Sequence, residues 1–348
     1  MKTLVTGANG FIGSAVVRAL LEKGEEVKAL VRINSDCRNF RNLPVELVYG
    51  DLTDEASLAK ALKGCRSLFH VGAYYRLWAR DPSLFYKINV EGTRNIMVAA
   101  LNAGVERIVY TSSIAALGMA PEGGSADEET PVDPGIRKGH YKQSKYLAEA
   151  EVSRLIKERS LPAVIVNPTA PVGPGDIKPT PTGRVIRDAA FGRIPAFVDT
   201  GLNIAHVDDV AKGHIQAFER GQVGERYILG GENLSLKQIL ETIAGRTHNR
   251  PPKVRLSPRM VLPLAYAAEA WARVTDGEEP MITVDGVRLS RYRMYFSSDK
   301  ARQRLGYRPR PADKALVDAV AWFQGEAGVD AADVVSSSLT AESTSVPD

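Results

Sequence analysis

Short apolar runs alternate with helix-period segments along the first half of the chain, and that alternation restricts the fold more than any other feature. Thr3 to Val5, Glu26 to Val31, Val45 to Tyr49, Ser67 to Val71, Arg107 to Tyr110 and Ala163 to Val166 read as strands. Helical spacing runs from Phe11 to Leu21, Asp54 to Lys63, Ser83 to Ala103 and Gly139 to Arg159. Strands kept apart by helices cannot close hairpins, so the class is α/β with a doubly wound parallel sheet. Ligands of such sheets gather beyond the strand C-termini. Attention therefore falls on Gly7 to Gly13, Arg32, Asp51, His70 to Ala73 and Thr111 to Ser113.

The first of these stretches, Gly7-x-x-Gly10-x-x-Gly13, joins the first strand to the first helix and also holds Asn9, Phe11 and Ile12. Glycine permits positive φ and lets a diphosphate approach the main chain, while the helix start offers unpaired N–H groups and partial positive charge. The turn reads as a dinucleotide cradle.

The 348 residues, 44% of them hydrophobic, can bury one large core or two smaller ones. Regularity stops at Asn167: from there to Gly183 come Pro168, Pro171, Pro174, Pro179 and Pro181 with Gly173 and Gly175, too interrupted for regular structure. This reads as an excursion to a second domain, after which Ile204 to Val207 and the helix Asp208 to Arg220 return to the sheet, followed by a strand at Arg226 to Leu229. Helices then dominate: Ser235 to Gly245 with Ser235 as N-cap, Met260 to Val274, Ser298 to Leu305, and Pro311 to Gly325. The expected division is 1–168 plus 204–231 for nucleotide binding, 169–203 plus 232–328 for a smaller, mainly helical substrate domain, and a disordered Ser/Thr-rich tail at 329–348.

Net charge is +4, and setting aside the tail's Asp330, Asp333, Glu342 and Asp348 leaves the body at about +8. A mildly basic body suits a phosphorylated cofactor; no basic run with interleaved aromatics points to nucleic acid. No stretch spans a bilayer. Met260 to Trp271 is short and carries Pro263 and Glu269, which suits core or pocket roof, with peripheral membrane contact as the alternative. The opening apolar run breaks at Gly7, unlike a signal peptide, and Cys37 and Cys65 form no disulfide or metal pattern. These features suit a cytoplasmic monomer or homodimer acting on a small molecule, without a metal.

Tyr141 and Lys145 fall one turn apart on a helical face, where an ammonium stabilises a phenolate and lowers its pKa. Thr111 to Ser113 ends the fifth strand over the same sheet edge, so the Ser113 hydroxyl can hold a substrate oxygen while Tyr141 exchanges its proton. Tyr75 and Trp78 follow the fourth strand where substrate belongs, and His140 adjoins Tyr141. His206, Asp208 and Asp209 point different ways at a strand-to-helix boundary, where Asp208 or Asp209 suits an N-cap better than a metal site.

Together, the glycine turn, Gly50-Asp51-Leu52-Thr53-Asp54, Asn89-Val-Glu-Gly-Thr93, Thr111-Ser-Ser113, Tyr141-x-x-x-Lys145 and His206-Val-Asp-Asp-Val210 resemble the extended short-chain dehydrogenase/reductases, from Lys2 to about Phe323. Ile165-Val-Asn-Pro-Thr169 and Val172-Gly-Pro look like the dihydroflavonol-4-reductase-like branch. Tyr75-Arg-Leu-Trp-Ala-Arg-Asp81 and Lys178-Pro-Thr-Pro-Thr-Gly-Arg184 look like the hopanoid-associated sugar epimerases.

The resemblance implies a Rossmann fold and a catalytic set of Ser113, Tyr141 and Lys145 with Asn89 in support. It implies Lys145 on the nicotinamide ribose, Asp51 and Leu52 about the adenine, and Val71, Gly72, Ala73, Thr111, Asn167, Pro168 and Thr169 along the cofactor. Where NAD-selective sites carry a carboxylate after the second strand, this chain has Arg32, which suits the 2′-phosphate of NADP(H) over NAD(H). Many relatives acting on nucleotide sugars carry an Arg-Asp pair before the strand at Ile204, where this chain reads Gly201-Leu202-Asn203. The expected activity is hydride transfer at a secondary alcohol or ketone carbon of a small hydroxylated substrate. The alternatives are sugar epimerisation by transient oxidation and, ranked below it, a non-catalytic NADP sensor.

Overall fold

The computed structural model describes residues 2–120, 124–133, 139–275, 277 and 279–325. The tail expected to be disordered, Val329 to Asp348, lies outside them. The first half builds β1 (Lys2–Thr6), α1 (Phe11–Glu22), β2 (Glu26–Val31), β3 (Glu46–Tyr49), α2 (Glu55–Leu62), β4 (Cys65–His70), α3 (Ser83–Tyr86), α4 (Gly92–Asn102), β5 (Arg107–Thr111), α5 (His140–Arg159) and β6 (Ala163–Pro168). The second adds β7 (Ala170–Val172), α6 (Pro181–Ala190), β8 (Ala196–Val198), β9 (Gly201–His206), α7 (Val207–Arg220), β10 (Arg226–Leu229), β11 (Glu232–Ser235) and α8 (Leu236–Thr247). Then follow β12 (Val254–Leu256), α9 (Pro258–Val274), α10 (Val284–Leu289), β13 (Arg293–Met294), α11 (Asp299–Leu305) and a last helix, α12, over 312–325.

Seven strands form one sheet in the order β10-β6-β5-β4-β1-β2-β3, and every pairing in it is parallel. Side chains alternate across such a sheet, and the core divides accordingly. Val5, Phe69, Val109 and Val166 face α1 and α7 on one side; Leu4, Leu68, Ile108 and Ile165 face α2, α4 and α5 on the other. Strands buried on both faces must be apolar throughout, which is why they were visible as runs. The order reverses between β1 and β4, the switch point where α/β sheets hold ligands.

Several elements differ from the sequence reading. β9 does not return to the large sheet: the free edge of β6 is taken by β10, from Arg226 opposite Ile165 to Leu229 opposite Pro168. β9 instead pairs with β7, β11 and β13 in a four-stranded sheet. That sheet and the β8–β12 pair make the smaller lobe less exclusively helical than expected. The interval 167–183 contains β7 and the start of α6, because Thr180 caps α6 and Pro181 sits in its first turn, where its missing N–H costs nothing. The helix from Ser83 to Ala103 is interrupted by a π-helical turn at Lys87–Glu91. His206, not Asp208 or Asp209, caps α7: its Nδ1 accepts the Asp208 N–H at 3.1 Å, while Asp209 is gripped by Arg310 at 2.8–3.1 Å. Ser235 caps α8 as expected, reciprocally with Gln238.

Candidate active site

The glycine turn is shaped by contact. Gly7 has φ +61°, and a Cβ there would stand 2.5 Å from the Gly72 Cα; one on Gly13 would stand 2.1 Å from the Gly7 carbonyl oxygen. Both closures draw β1, α1 and the end of β4 together over the switch point. Gly10 opens α1 with no side-chain cap, so the first helical N–H groups stay available.

A cleft of about 480 Å³ runs along this edge. Gly7, Asn9, Gly10, Phe11, Ile12, Gly13, Arg32, Asp51, Leu52, Val71, Gly72, Ala73, Thr111, Pro168 and Thr169 line it, as do Ser113, Tyr141, Lys145 and Tyr75. The chain just beyond β5 delivers Ser113 and α5 delivers Tyr141 and Lys145, so two separate stretches of sequence meet in one wall. The Lys145 ammonium donates to the Thr111 carbonyl at 2.9 Å and stands 5.2 Å from the Tyr110 ring centroid. Burial lowers Lys145 to about 8, against an opposing pull from Glu149.

Tyr141 departs from expectation. Burial pushes its phenol up to about 12, a Ser113 hydrogen bond working the other way. The phenol loses water on entering the cleft wall, beside the Tyr75 ring at 4.9 Å between centroids, and the Lys145 ammonium is itself weakened by burial and drawn to a carbonyl.

The remaining candidates lie behind or beside the cleft. Asn89 is buried in the π-helical turn; its Oδ1 accepts the Tyr74 N–H at 2.7 Å, and its Nδ2 donates to Ser144 Oγ at 2.9 Å and Tyr74 O at 3.1 Å. Asn167 is buried too, donating to the Ser113 carbonyl at 3.0 Å and to Glu149 at 2.8 Å. Both position the wall without being part of it. The Thr111 hydroxyl is engaged by His214 at 2.9 Å. Asp51 turns one carboxylate oxygen onto the Thr53 N–H and hydroxyl. Trp78 and His140 do not line the cleft: Trp78 is buried elsewhere, and His140 is exposed, 3.1 Å from the Tyr86 hydroxyl.

Three residues escaped the sequence reading. Asp176 lines the cleft, nearly buried, accepting the Thr180 N–H and hydroxyl at 2.9–3.1 Å; burial pushes its carboxyl up to about 6. Its charge and those of Glu279 and Arg184 reach the Tyr75 hydroxyl, and Arg184 pairs with Glu279 at 2.8 Å. Of the three, only Arg184 falls within the Lys178-to-Arg184 motif; Asp176 stands just before it and Glu279 carries no sequence signal.

The cleft fits a dinucleotide. Added Cβ atoms would fill its glycine cradle, an uncapped helix start faces the same space, and the Thr169 hydroxyl on its wall is buried without a hydrogen-bond partner. Such a cradle at the switch point of this sheet defines a dinucleotide-binding protein of the doubly wound class. The chain belongs to the NAD dependent epimerase/dehydratase family, whose profile matches residues 3–230.

It is 46% identical over 327 residues to a Synechocystis sp. protein carrying the provisional name dihydroflavonol 4-reductase, covering 92% of this chain and 94% of that one. It is 37% identical over 327 residues to sterol demethylase protein B of Methylococcus capsulatus, covering 93% and 98%. The crystal structure of gox2253 matches with a TM-score of 0.83 at 55% identity, covering 93% and 98%.

Proposed function

We propose that the protein is an NADP(H)-preferring carbonyl reductase acting on a ketone or aldehyde of a small hydroxylated substrate. The observation that carries this reading is the meeting of Ser113, Tyr141 and Lys145 in the wall of the glycine-cradled cleft. In it, the backbone of Gly7 to Gly13 and the start of α1 hold the diphosphate, Asp51 and Leu52 flank the adenine, and Lys145 and Thr169 hold the nicotinamide end. Arg32, exposed at the end of β2, would meet the 2′-phosphate, and the nearby Asp36 is held by Arg38 at 3.1 Å. The cofactor, when bound, supplies hydride.

The rest is the chain's own chemistry. With its pKa raised to about 12, Tyr141 keeps its proton at neutral pH and is poised to donate it from Oη to a carbonyl oxygen. Ser113 orients that oxygen, and Lys145, anchored on Thr111, offsets the phenolate charge as the proton leaves. Reduction uses this protonated form and oxidation its phenolate, so the residues serve either direction; the name carried by the Synechocystis relative supports reduction.

Epimerisation of a nucleotide sugar is the competing reading. Against it, Leu202 and Asn203 stand where many such enzymes carry an Arg-Asp pair, so no guanidinium is offered there, and the Asn203 side-chain amide is consumed by Asn233 at 2.7 Å, the Phe296 carbonyl at 3.1 Å and the Gly231 N–H at 2.7 Å. Titrating NADPH and NADH separately into the purified protein, with absorbance read at the reduced-nicotinamide band, separates these readings. Exchangeable NADPH consumed by a carbonyl substrate is the expected result; cofactor retained without net consumption identifies an epimerase. Tyr141→Phe should bind NADPH and lose turnover. Unchanged turnover in that variant overturns the assignment.

A further inference from the structure

Helix α9 is apolar on two faces. Val261, Ala265 and Ala272 are buried against the body of the protein. Roughly 120° round the helix, Met260, Leu264, Trp271 and Val274 follow one another at helical spacing and are 67%, 62%, 71% and 82% exposed. A lone exposed leucine is ordinary, but a row of four large apolar side chains on one outward stripe is an unpaid hydration cost that persists only where something covers it.

The charge around the stripe indicates what covers it. From 248 to 275 the sequence carries Arg250, Lys253, Arg255, Arg259 and Arg273 against a single acid, Glu269. That acid is turned inward, accepting the Val284 N–H at 2.7 Å. Arg250, Lys253 and Arg259 are exposed, Arg259 on α9 itself and the other two in the segment before it; Arg273, also on α9 and exposed, reaches back to Glu269 at 3.8 Å, and Arg255 shares Asp199 with Arg293. Asp276 and Glu278 come after the helix and lie outside the described residues. A second copy of the chain on this stripe would set these cations against their own kind across a twofold axis. An anionic bilayer surface answers both features: its headgroups attract the cations and its acyl boundary accepts the apolar row.

We propose that the outer stripe of α9 docks the protein on membranes containing acidic phospholipid. Shortly after α9, Glu279 accepts the Leu77 N–H at 2.8 Å and pairs at 3.4 Å with Arg76, which lines the cleft. The docking helix is thus one short segment from the site. This inference stands independently of the reaction proposed above.

The chain has three tryptophans, of which Trp78 is buried and Trp322 half-buried, so an emission shift on adding lipid reports Trp271. The full-length protein should float with vesicles of phosphatidylcholine mixed with phosphatidylglycerol, with a blue-shifted emission, and stay behind with phosphatidylcholine alone. Trp271→Phe should remove the shift and keep the flotation. Leu264→Asp with Val274→Asp should weaken partitioning about tenfold or more, with an unchanged thermal midpoint because both positions are solvent-facing. No flotation with the mixed vesicles, or equal flotation of the double variant, overturns the proposal. So does a lipid-free dimer that buries Trp271 and is broken by the same pair of substitutions, which would assign the stripe to a second copy.

Discussion

Burying the Lys145 ammonium costs the folded protein stability. The residue is 3% exposed, and burial lowers its pKa from 10.5 to about 8. A lysine whose folded value lies below its unfolded one binds its proton less tightly in the native state. The penalty is therefore full below about pH 8 and disappears as pH rises to 10.5. Lys145→Met should raise the unfolding free energy of the cofactor-free protein at neutral pH by on the order of 2 kcal/mol, a gain that vanishes near pH 10.5. The same variant should lose turnover by roughly a hundredfold or more. Denaturant melts at the two pH values, beside steady-state rates, check this. Destabilisation at neutral pH would mean that the bond to Thr111 outweighs the buried charge. The Tyr141–Lys145 spacing was legible in the sequence because helical geometry is local; the raised phenol pKa was not, because it depends on Tyr75 and other residues brought from elsewhere in the chain.

At the scale of elements, the π-helical turn at Lys87–Glu91 has a structural purpose. An extra residue in the turn re-aims one side chain, and here that side chain is Asn89, 1% exposed. Its amide joins the backbone after β4, at Tyr74, to Ser144 on the helix that carries Tyr141 and Lys145. Asn89→Ala leaves the Tyr74 N–H without that acceptor and should cost about 2–3 kcal/mol. Because Asn89 does not line the cleft, we expect kcat to fall severalfold while NADPH affinity moves little. An equal loss of affinity would place Asn89 in cofactor binding. The apolar period continues through the turn with Phe85, Ile88 and Ile96, so the sequence read as one helix. Proline misleads in the opposite way: Pro181 reads as an interruption in the sequence although it begins α6.

Across the whole molecule, the cleft is made by two lobes with unequal visibility in the sequence. The large sheet announces itself because each inner strand is buried on both faces. The smaller lobe pairs strands of two to six residues drawn from β7, β9, β11 and β13, and such short strands carry no period of their own. Asp176, Arg184 and Glu279 meet only through that assembly. The lobes are stitched at the cleft by Asn39, whose Nδ2 donates to the Asn9 and Gly175 carbonyls at 3.3 and 3.2 Å. A ligand seated there touches both lobes and binds only the folded chain, so at a hundredfold excess over Kd it should stabilise by about 2.7 kcal/mol, several degrees in Tm. If Arg32 reads a 2′-phosphate, NADPH should raise Tm more than NADH at equal concentration. Arg32→Ala should then remove a charge-assisted contact of about 1.5–3 kcal/mol, one to two decades in affinity, from NADPH alone. The two cofactors would give equal shifts in that variant. Equal losses for NADPH and NADH would make Arg32 a packing residue, and a larger wild-type shift with NADH would reverse the cofactor preference.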